Sequence, residues 1–262
     1  MLKVKNLDVA YGSNKAVDDF NMEIGQGEIV SIVGESGSGK STVIRTILGL
    51  LPSGGKVTEG SIVYNGRDIL GLDAEAFTRF RGKEVAMIFQ DSGAMLNPIR
   101  RIGSQFIEYI LQHTGLTEEE ASREAVNMLD RMQLPNPEEI MKRYPFQLSG
   151  GQRQRVGIAM AMALSPKLLL ADEPTSALDV TTQAQIVEQM AELRDQFDTS
   201  IIMVTHNLGV AAYMSDKIIV MKDGKIVECG TTQEVIDHPK EAYTRELLKA
   251  VPVLDGGLYA KQ

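Results

Sequence analysis

Tryptophan is absent from the 262 residues, and cysteine occurs once, at Cys229. A lone cysteine excludes an internal disulfide and cannot hold a metal cluster by itself, which fits a reducing compartment. No run of ~18 apolar residues, the length a membrane-spanning helix needs, is present, so any membrane role is expected to come through partners. The opening MLKVKNLDVAYG is charged early and lacks a long apolar core, so secretion is not indicated. A basic excess is missing too: 27 Lys and Arg stand against 35 Asp and Glu, a net charge of −8. That balance does not suit non-specific nucleic-acid binding, which needs cations to displace condensed counterions. The remaining composition, 43% hydrophobic and 24% charged, is that of an ordinary globular protein. Its length allows one large domain or two small ones.

Hydrophobic spacing divides the chain into three stretches. Residues 2–10 and 20–24 alternate as strands do, and 28–33 (EIVSIV) is a compact apolar run of the kind buried in a parallel sheet. A Gly-rich turn follows, then helical spacing at Val43, Ile44, Ile47 and Leu48, stopped by Pro52 and the Ser-Gly-Gly after it. Residues 60–64 and 85–89 are predicted strands. From about 91 to 165 the pattern is helical. Thr117 and Glu120 form a capping box for one helix through about Met132, and another begins after Ser149. Strands return at 167–172, 200–205, 217–221 and 225–230, with a helix predicted over 181–197. Strands alternating with helices imply a mostly parallel α/β sheet, here with a helical block inserted in its middle.

Two segments carry phosphate chemistry. Gly34-Glu35-Ser36-Gly37-Ser38-Gly39-Lys40-Ser41 fits G-x-x-x-x-G-K-[ST], following a predicted strand and opening a predicted helix. Its glycines let backbone N–H groups close around phosphate oxygens, and the helix N-terminus adds partial positive charge. Lys40 is placed for the β- and γ-phosphates, and the Ser41 hydroxyl for Mg²⁺. Residues 167–173 (KLLLADE) form an apolar strand ending in two carboxylates. Asp172 suits a metal ion; Glu173, pointing the other way, suits the attacking water. A second anion device is Leu148-Ser149-Gly150-Gly151-Gln152, where Ser149 is the expected N-cap. Two phosphate-binding devices in one short chain suggest that two chains sandwich each nucleotide.

At these residues the chain resembles the ATP-binding subunits of ABC transporters, whose signature is LSGGQ. The resemblance covers roughly residues 2–250 and implies a P-loop, RecA-like α/β core with an N-terminal antiparallel β portion and an inserted α-helical subdomain. Residues 1–90 and 166–240 would form the core, 91–165 the helical subdomain and 241–262 a short tail. It implies ATP and Mg²⁺ as ligands. Tyr11 matches the aromatic residue that stacks on adenine, and the loop from Gly34 through Thr42 matches the phosphate-binding segment. Gln90, after VAMIF, matches a metal and water ligand at the hinge to the helical subdomain. Ser41, Gln90 and Asp172 would hold the metal, and Glu173, Gln90 and His206 would serve catalysis, with His206 sensing the γ-phosphate. Ser149, Gly150, Gly151 and Gln152, together with Asp179 in Ser176-Ala177-Leu178-Asp179, would act at the opposite chain's nucleotide.

Residues 81–98 (RGKEVAMIFQDSGAMLNP) and 238–252 (HPKEAYTRELLKAVP) resemble segments of peptide and nickel importers, and the first of them points to the first of two ATPase paralogues. Ser92 and Ala242 stand where those importers carry proline. The implied partners are a paralogous ATPase, two transmembrane permeases and an extracytoplasmic solute-binding protein, with this chain peripheral on the cytoplasmic face of the membrane. With one cysteine, the chain is expected to carry no iron–sulfur cluster. Peptide, nickel and metal-chelate cargo stay open, since cargo contacts lie on other subunits. The rival reading is a soluble ABC ATPase of DNA repair or translation. It is disfavoured by the short spacing between the P-loop and LSGGQ, by the single P-loop and by the acidic balance. Met87, Met95, Met160 and Met162 are expected to serve packing, and His113 to lie on the surface.

Overall fold

A computed structural model of the chain describes residues 1–176 and 178–250. In chain order the elements are β1 (Leu2–Tyr11), β2 (Asn14–Ile24), β3 (Ile29–Val33), α1 (Lys40–Ile47), β4 (Gly55–Tyr64), β5 (Arg67–Asp68), α2 (Ala74–Phe80) and β6 (Val85–Ile88). The helices α3 (Ser92–Met95), α4 (Ile102–His113), α5 (Glu118–Arg131), α6 (Pro137–Lys142) and α7 (Gly150–Met162) follow. The chain continues with β7 (Leu168–Asp172), α8 (Val180–Phe197), β8 (Ser200–Thr205), α9 (Leu208–Met214), β9 (Lys217–Lys222), β10 (Lys225–Thr231), α10 (Thr232–Asp237) and α11 (Ala242–Lys249). Packing of the described residues separates two compact units: 1–78 with 200–250, and Arg79–Thr199.

The first unit holds an antiparallel sheet in the order β2-β1-β4-β5 and the strands β10-β9-β3-β8. In the latter, β3 runs parallel to both β8 and β9, while β10 returns antiparallel to β9. Every residue of β3 and β8 is buried, which is why both strands are predominantly apolar runs, with small Ser and Thr as the exceptions, and not alternating ones. Strands β2 and β4 begin earlier than the spacing predicts, at Asn14 and Gly55, because Tyr11 pairs with both across the sheet. Register shifts around Leu7 to Ala10 break the two-residue period there. Short α2, α9, α10 and α11 are not announced by the hydrophobic pattern.

In the second unit β6 and β7 pair in parallel, with Ile88 opposite Ala171. Helix α7 packs on β6, α3, α5 and α8. The expected capping boxes are present: Thr117 accepts the Glu120 N–H at the start of α5, and Ser149 accepts the Gln152 N–H at 3.2 Å at the start of α7. Ser92, in place of a proline, uses the N–H a proline would lack, donating it to the buried Gln154 side chain at 3.3 Å. Ala242, the other departure, takes the first position of α11, where proline is favoured but not required. Met95 is 59% exposed and so is not the packing residue expected. His113 is half-buried against Tyr109, at 5.2 Å between ring centroids, instead of lying free on the surface.

Helices α3 and α7 approach closely at Gly157, where an added Cβ would sit 2.4 Å from the Cβ of Ser92. Alanine would gain up to about 1 kcal/mol of helix propensity but incur an overpacking strain of about 1–3 kcal/mol. Gly157→Ala is therefore expected to lower unfolding stability by roughly 1–2 kcal/mol, read from the urea midpoint. An unchanged midpoint would show that the strain at α3 does not exceed the helix propensity gained.

Candidate nucleotide-binding and hydrolysis site

In the first unit the phosphate loop grows from the C-terminal end of β3. Val33 pairs with Thr205 of β8 and Val220 of β9, so Gly34 and His206 leave the sheet side by side, one residue further along each strand. Gly34 has φ +152°, and a Cβ there would lie 2.2 Å from the Met221 carbonyl oxygen. Only glycine fits this exit. The loop ends at Gly39, the N-cap of α1. Lys40, only 4% exposed, folds back over the loop. Its Nζ donates to the carbonyl oxygens of Gly34 at 2.7 Å and Glu35 at 2.6 Å. The ammonium thus lies above a ring of loop backbone at a helix N-terminus, the arrangement that suits a polyphosphate. Ser41 and Thr42 follow in the first turn of α1, both half-buried.

His206 is exposed at the end of β8, immediately before the N-cap Asn207, whose side chain accepts the Gly209 N–H at 2.9 Å. The cap fixes the turn that carries the imidazole. Tyr11 ends β1 half-buried, and its ring lies against Gly55, where an added Cβ would come within 2.7 Å of it.

The second unit carries the carboxylates. Asp172, 4% exposed, ends β7. Glu173 follows with φ +47°, the left-handed region, which costs a side chain with a Cβ about 1–2 kcal/mol. Such strain persists where surrounding structure imposes it, and it points to a functional position. Gln90, two residues beyond Ile88 on the neighbouring strand, donates its Nε2–H to Glu173 Oε2 at 3.1 Å. The structure therefore brings Gln90 and Glu173 together.

In the same unit Ser149 and Gly150 are exposed at the start of α7. The Ser149 N–H donates to Gln152 Oε1 at 3.0 Å, so the Gln152 side chain is spent on the cap. Gly151 faces α8: a Cβ there would lie 2.9 Å from Thr182 Cγ2. Asp179 is the N-cap of α8, one oxygen accepting the Thr182 N–H at 2.9 Å and the other the Thr182 hydroxyl at 2.7 Å. The Thr182 N–H, and then its hydroxyl, hold the carboxyl below the usual range. Ala177, in the segment before Asp179, and residues 251–262 of the tail lie outside the described residues. Sequence reasoning missed the left-handed Glu173 and the part played by Tyr243, whose hydroxyl reaches the loop at Glu35. The second had a faint signal in the Tyr-Thr of the 238–252 resemblance.

The fold and these loops define a P-loop ATPase of the cassette type. A profile of the ABC transporter family matches residues 17–176, and the chain belongs to that family. It is 46% identical over 259 residues to the oligopeptide transport ATP-binding protein OppD of Salmonella typhimurium, covering 97% of this chain and 77% of that protein. It is 44% identical to the oligopeptide transport ATP-binding protein AppD of Bacillus subtilis (98% and 80% covered). With the dipeptide transport ATP-binding protein DppD of Lactococcus lactis the identity is 42% (98% and 75% covered). Among solved structures, the ATP-binding cassette MJ0796 in a dimeric, post-hydrolysis state with ADP and Pi superposes with a TM-score of 0.79 at 32% identity, covering 88% of this chain and 99% of that one. The cassette cbiO1 of Clostridium perfringens, part of the transporter complex cbiONQ, gives 0.79 at 28% identity, covering 90% of each.

Proposed function

We propose that this chain is the ATP-hydrolysing subunit of an importer of oligopeptides or dipeptides, working with two membrane permeases, a second cassette and an extracytoplasmic binding protein at the cytoplasmic face of the membrane. The observation that carries the reading is that one chain holds both an LSGGQ helix start and a complete phosphate loop, and is 46% identical to a peptide-transport ATPase. Among the described residues no helix is long and apolar enough to cross a membrane, so transport requires other chains. Nickel uptake is the second cargo reading, resting on the 81–98 and 238–252 resemblances alone. Deleting the gene is expected to abolish uptake of labelled di- and oligopeptides and leave nickel accumulation at its wild-type level. Loss of nickel uptake with peptide uptake intact would overturn the cargo assignment.

In this reading residues 1–90 and 166–240 form the nucleotide core and 91–165 the helical arm. Lys40, Ser41, Thr42 and the loop backbone from Gly34 hold the phosphates, and Tyr11 stacks on the adenine. Glu173 takes a proton from water as its oxygen bonds to the γ-phosphorus and the bond to the ADP oxygen breaks. Gln90 orients that carboxylate, and His206 contacts the γ-phosphate. Ser41, Gln90 and the buried Asp172 carry hard oxygen donors of the kind Mg²⁺ takes, and by the family resemblance would hold it. A bound Mg²⁺ would neutralise phosphate charge. Ser149, Gly150 and Gly151, exposed or half-buried at a helix N-terminus, close the partner's site, with Asp179 at its margin.

A permease segment would dock on the helical arm, where Met95, Ile99 and Phe146 are 59%, 82% and 70% exposed. The Ile102 N–H to Arg143 carbonyl bond, 2.8 Å, and the Arg101 guanidinium, 6.0 Å from the Tyr144 ring centroid, draw these segments together. Tyr11→Ala is expected to weaken ATP affinity by about 1–3 kcal/mol, the scale of base–aromatic stacking, with turnover at saturating ATP little changed. A large fall in that turnover with unchanged affinity would contradict the stacking role.

A further inference from the structure

The Gly34–Glu35 peptide is held from both sides. Its N–H, on Glu35, donates to the Tyr243 hydroxyl oxygen at 3.0 Å. Its carbonyl, on Gly34, accepts from Lys40 Nζ at 2.7 Å. The N–H and C=O of a trans peptide point in opposite directions, so the tyrosine that holds one end aims the other at the lysine. Gly34 leaves this plane little covalent restraint, because glycine rotates freely where other residues do not. The orientation therefore depends on the partners of the plane.

Tyr243 is itself firmly placed. It lies on α11, is 8% exposed, and packs in one apolar cluster with Val33, Leu208, Ala211, Ile218, Val220 and Val235. Val33 directly precedes the phosphate loop, and Leu208 lies two residues beyond His206. The Lys222 ammonium sits 4.7 Å from the ring centroid, a cation–π contact on one face. The entry to α11 is pinned by the Glu228 carboxylate, which accepts the Lys240 N–H at 2.7 Å and the Glu241 N–H at 3.2 Å.

We infer that Tyr243 is a positioning residue of the nucleotide site, fixing the peptide that anchors Lys40, so that helix α11 belongs to the ATP-binding machinery. The inference rests on the reading of the Gly34–Thr42 loop as the phosphate site. Tyr243→Phe keeps the ring, its packing and the Lys222 contact, and removes only the hydroxyl oxygen. Binding of ATP to the full chain, measured by calorimetry with Mg²⁺ chelated to prevent turnover, is expected to weaken about fivefold, the usual worth of one hydrogen bond. The Glu35 amide should exchange with solvent faster, and Tm should stay at the wild-type value. Wild-type ATP affinity, or unchanged Glu35 protection, would overturn the inference. So would weaker binding accompanied by a lower Tm, which would assign the effect to the packing of the ring. Undiminished ATP affinity in Lys40→Ala would instead sink the phosphate-site reading, a separate failure.

Discussion

Glu173→Gln is expected to bind ATP and lose turnover by a factor of order 10²–10⁴, the contribution of a general base. The substitution isolates the proton. Glutamine has the same length and the same backbone preferences, so the left-handed turn at φ +47° is no more strained than before. An amide oxygen remains to receive the Gln90 amide that now lies 3.1 Å from Glu173 Oε2. What disappears is a group able to accept a proton from water as it attacks. With hydrolysis blocked after binding, the ATP-bound pair of cassettes should accumulate, visible as a dimer by size-exclusion chromatography. Turnover near the wild-type rate would remove Glu173 from the mechanism and leave its strained backbone without a function.

The second large effect is expected from pairs of lesions in the assembled transporter. If each ATP lies between Lys40 of one chain and the α7 N-terminus of the other, Lys40→Ala in this chain disables one site and Ser149→Arg disables the other. Combining the two in this chain should abolish ATPase activity. Lys40→Ala combined with a signature lesion in the second cassette strikes one site twice, and should cost little more than the worse single change, since groups acting as a unit are not additive. Ser149→Arg acts in two ways. It removes the hydroxyl that accepts the Gln152 N–H, and it places a cation at the positive end of a helix. Cap loss alone costs about 1 kcal/mol, so Tm of each variant separates unfolding from loss of the site. A within-chain double variant no worse than a single one, beside a dead cross-chain pair, would show that each chain completes its own site.

The α11 contact also gives a physical reason for a C-terminal segment whose pattern carries no chemistry. In sequence, residues 238–250 offer a Tyr-Thr pair and an amphipathic turn. In the structure, Tyr243 reaches the first peptide of a loop about two hundred residues earlier. Ser92 is a similar case. As a departure from proline it was an anomaly of sequence, and its meaning appeared only with Gln154 opposite its N–H and Gly157 against its side chain.

What the sequence determined by itself was much of what depends on neighbours along the chain. The Gly34–Ser41 spacing, the apolar runs of β3, β7 and β8, the Asp172-Glu173 strand end and the Thr117 and Ser149 caps are local: glycine freedom, burial on both faces and the reach of a side chain to N–H groups three residues on. These were enough to state the fold class and a phosphate-binding site; the ATPase activity and the family were implied by the resemblance of LSGGQ and its companion segments to ABC transporter subunits. Tertiary structure decided what depends on distant backbone. The early starts of β2 and β4 follow from pairing with Tyr11. The placing of Gly34 beside His206 follows from the register of β3 on β8, and the meeting of Gln90 with Glu173 from that of β6 on β7. The reason is that strand register and side-chain reach are set by packing across the sheet, between residues whose separation in sequence leaves no periodic trace.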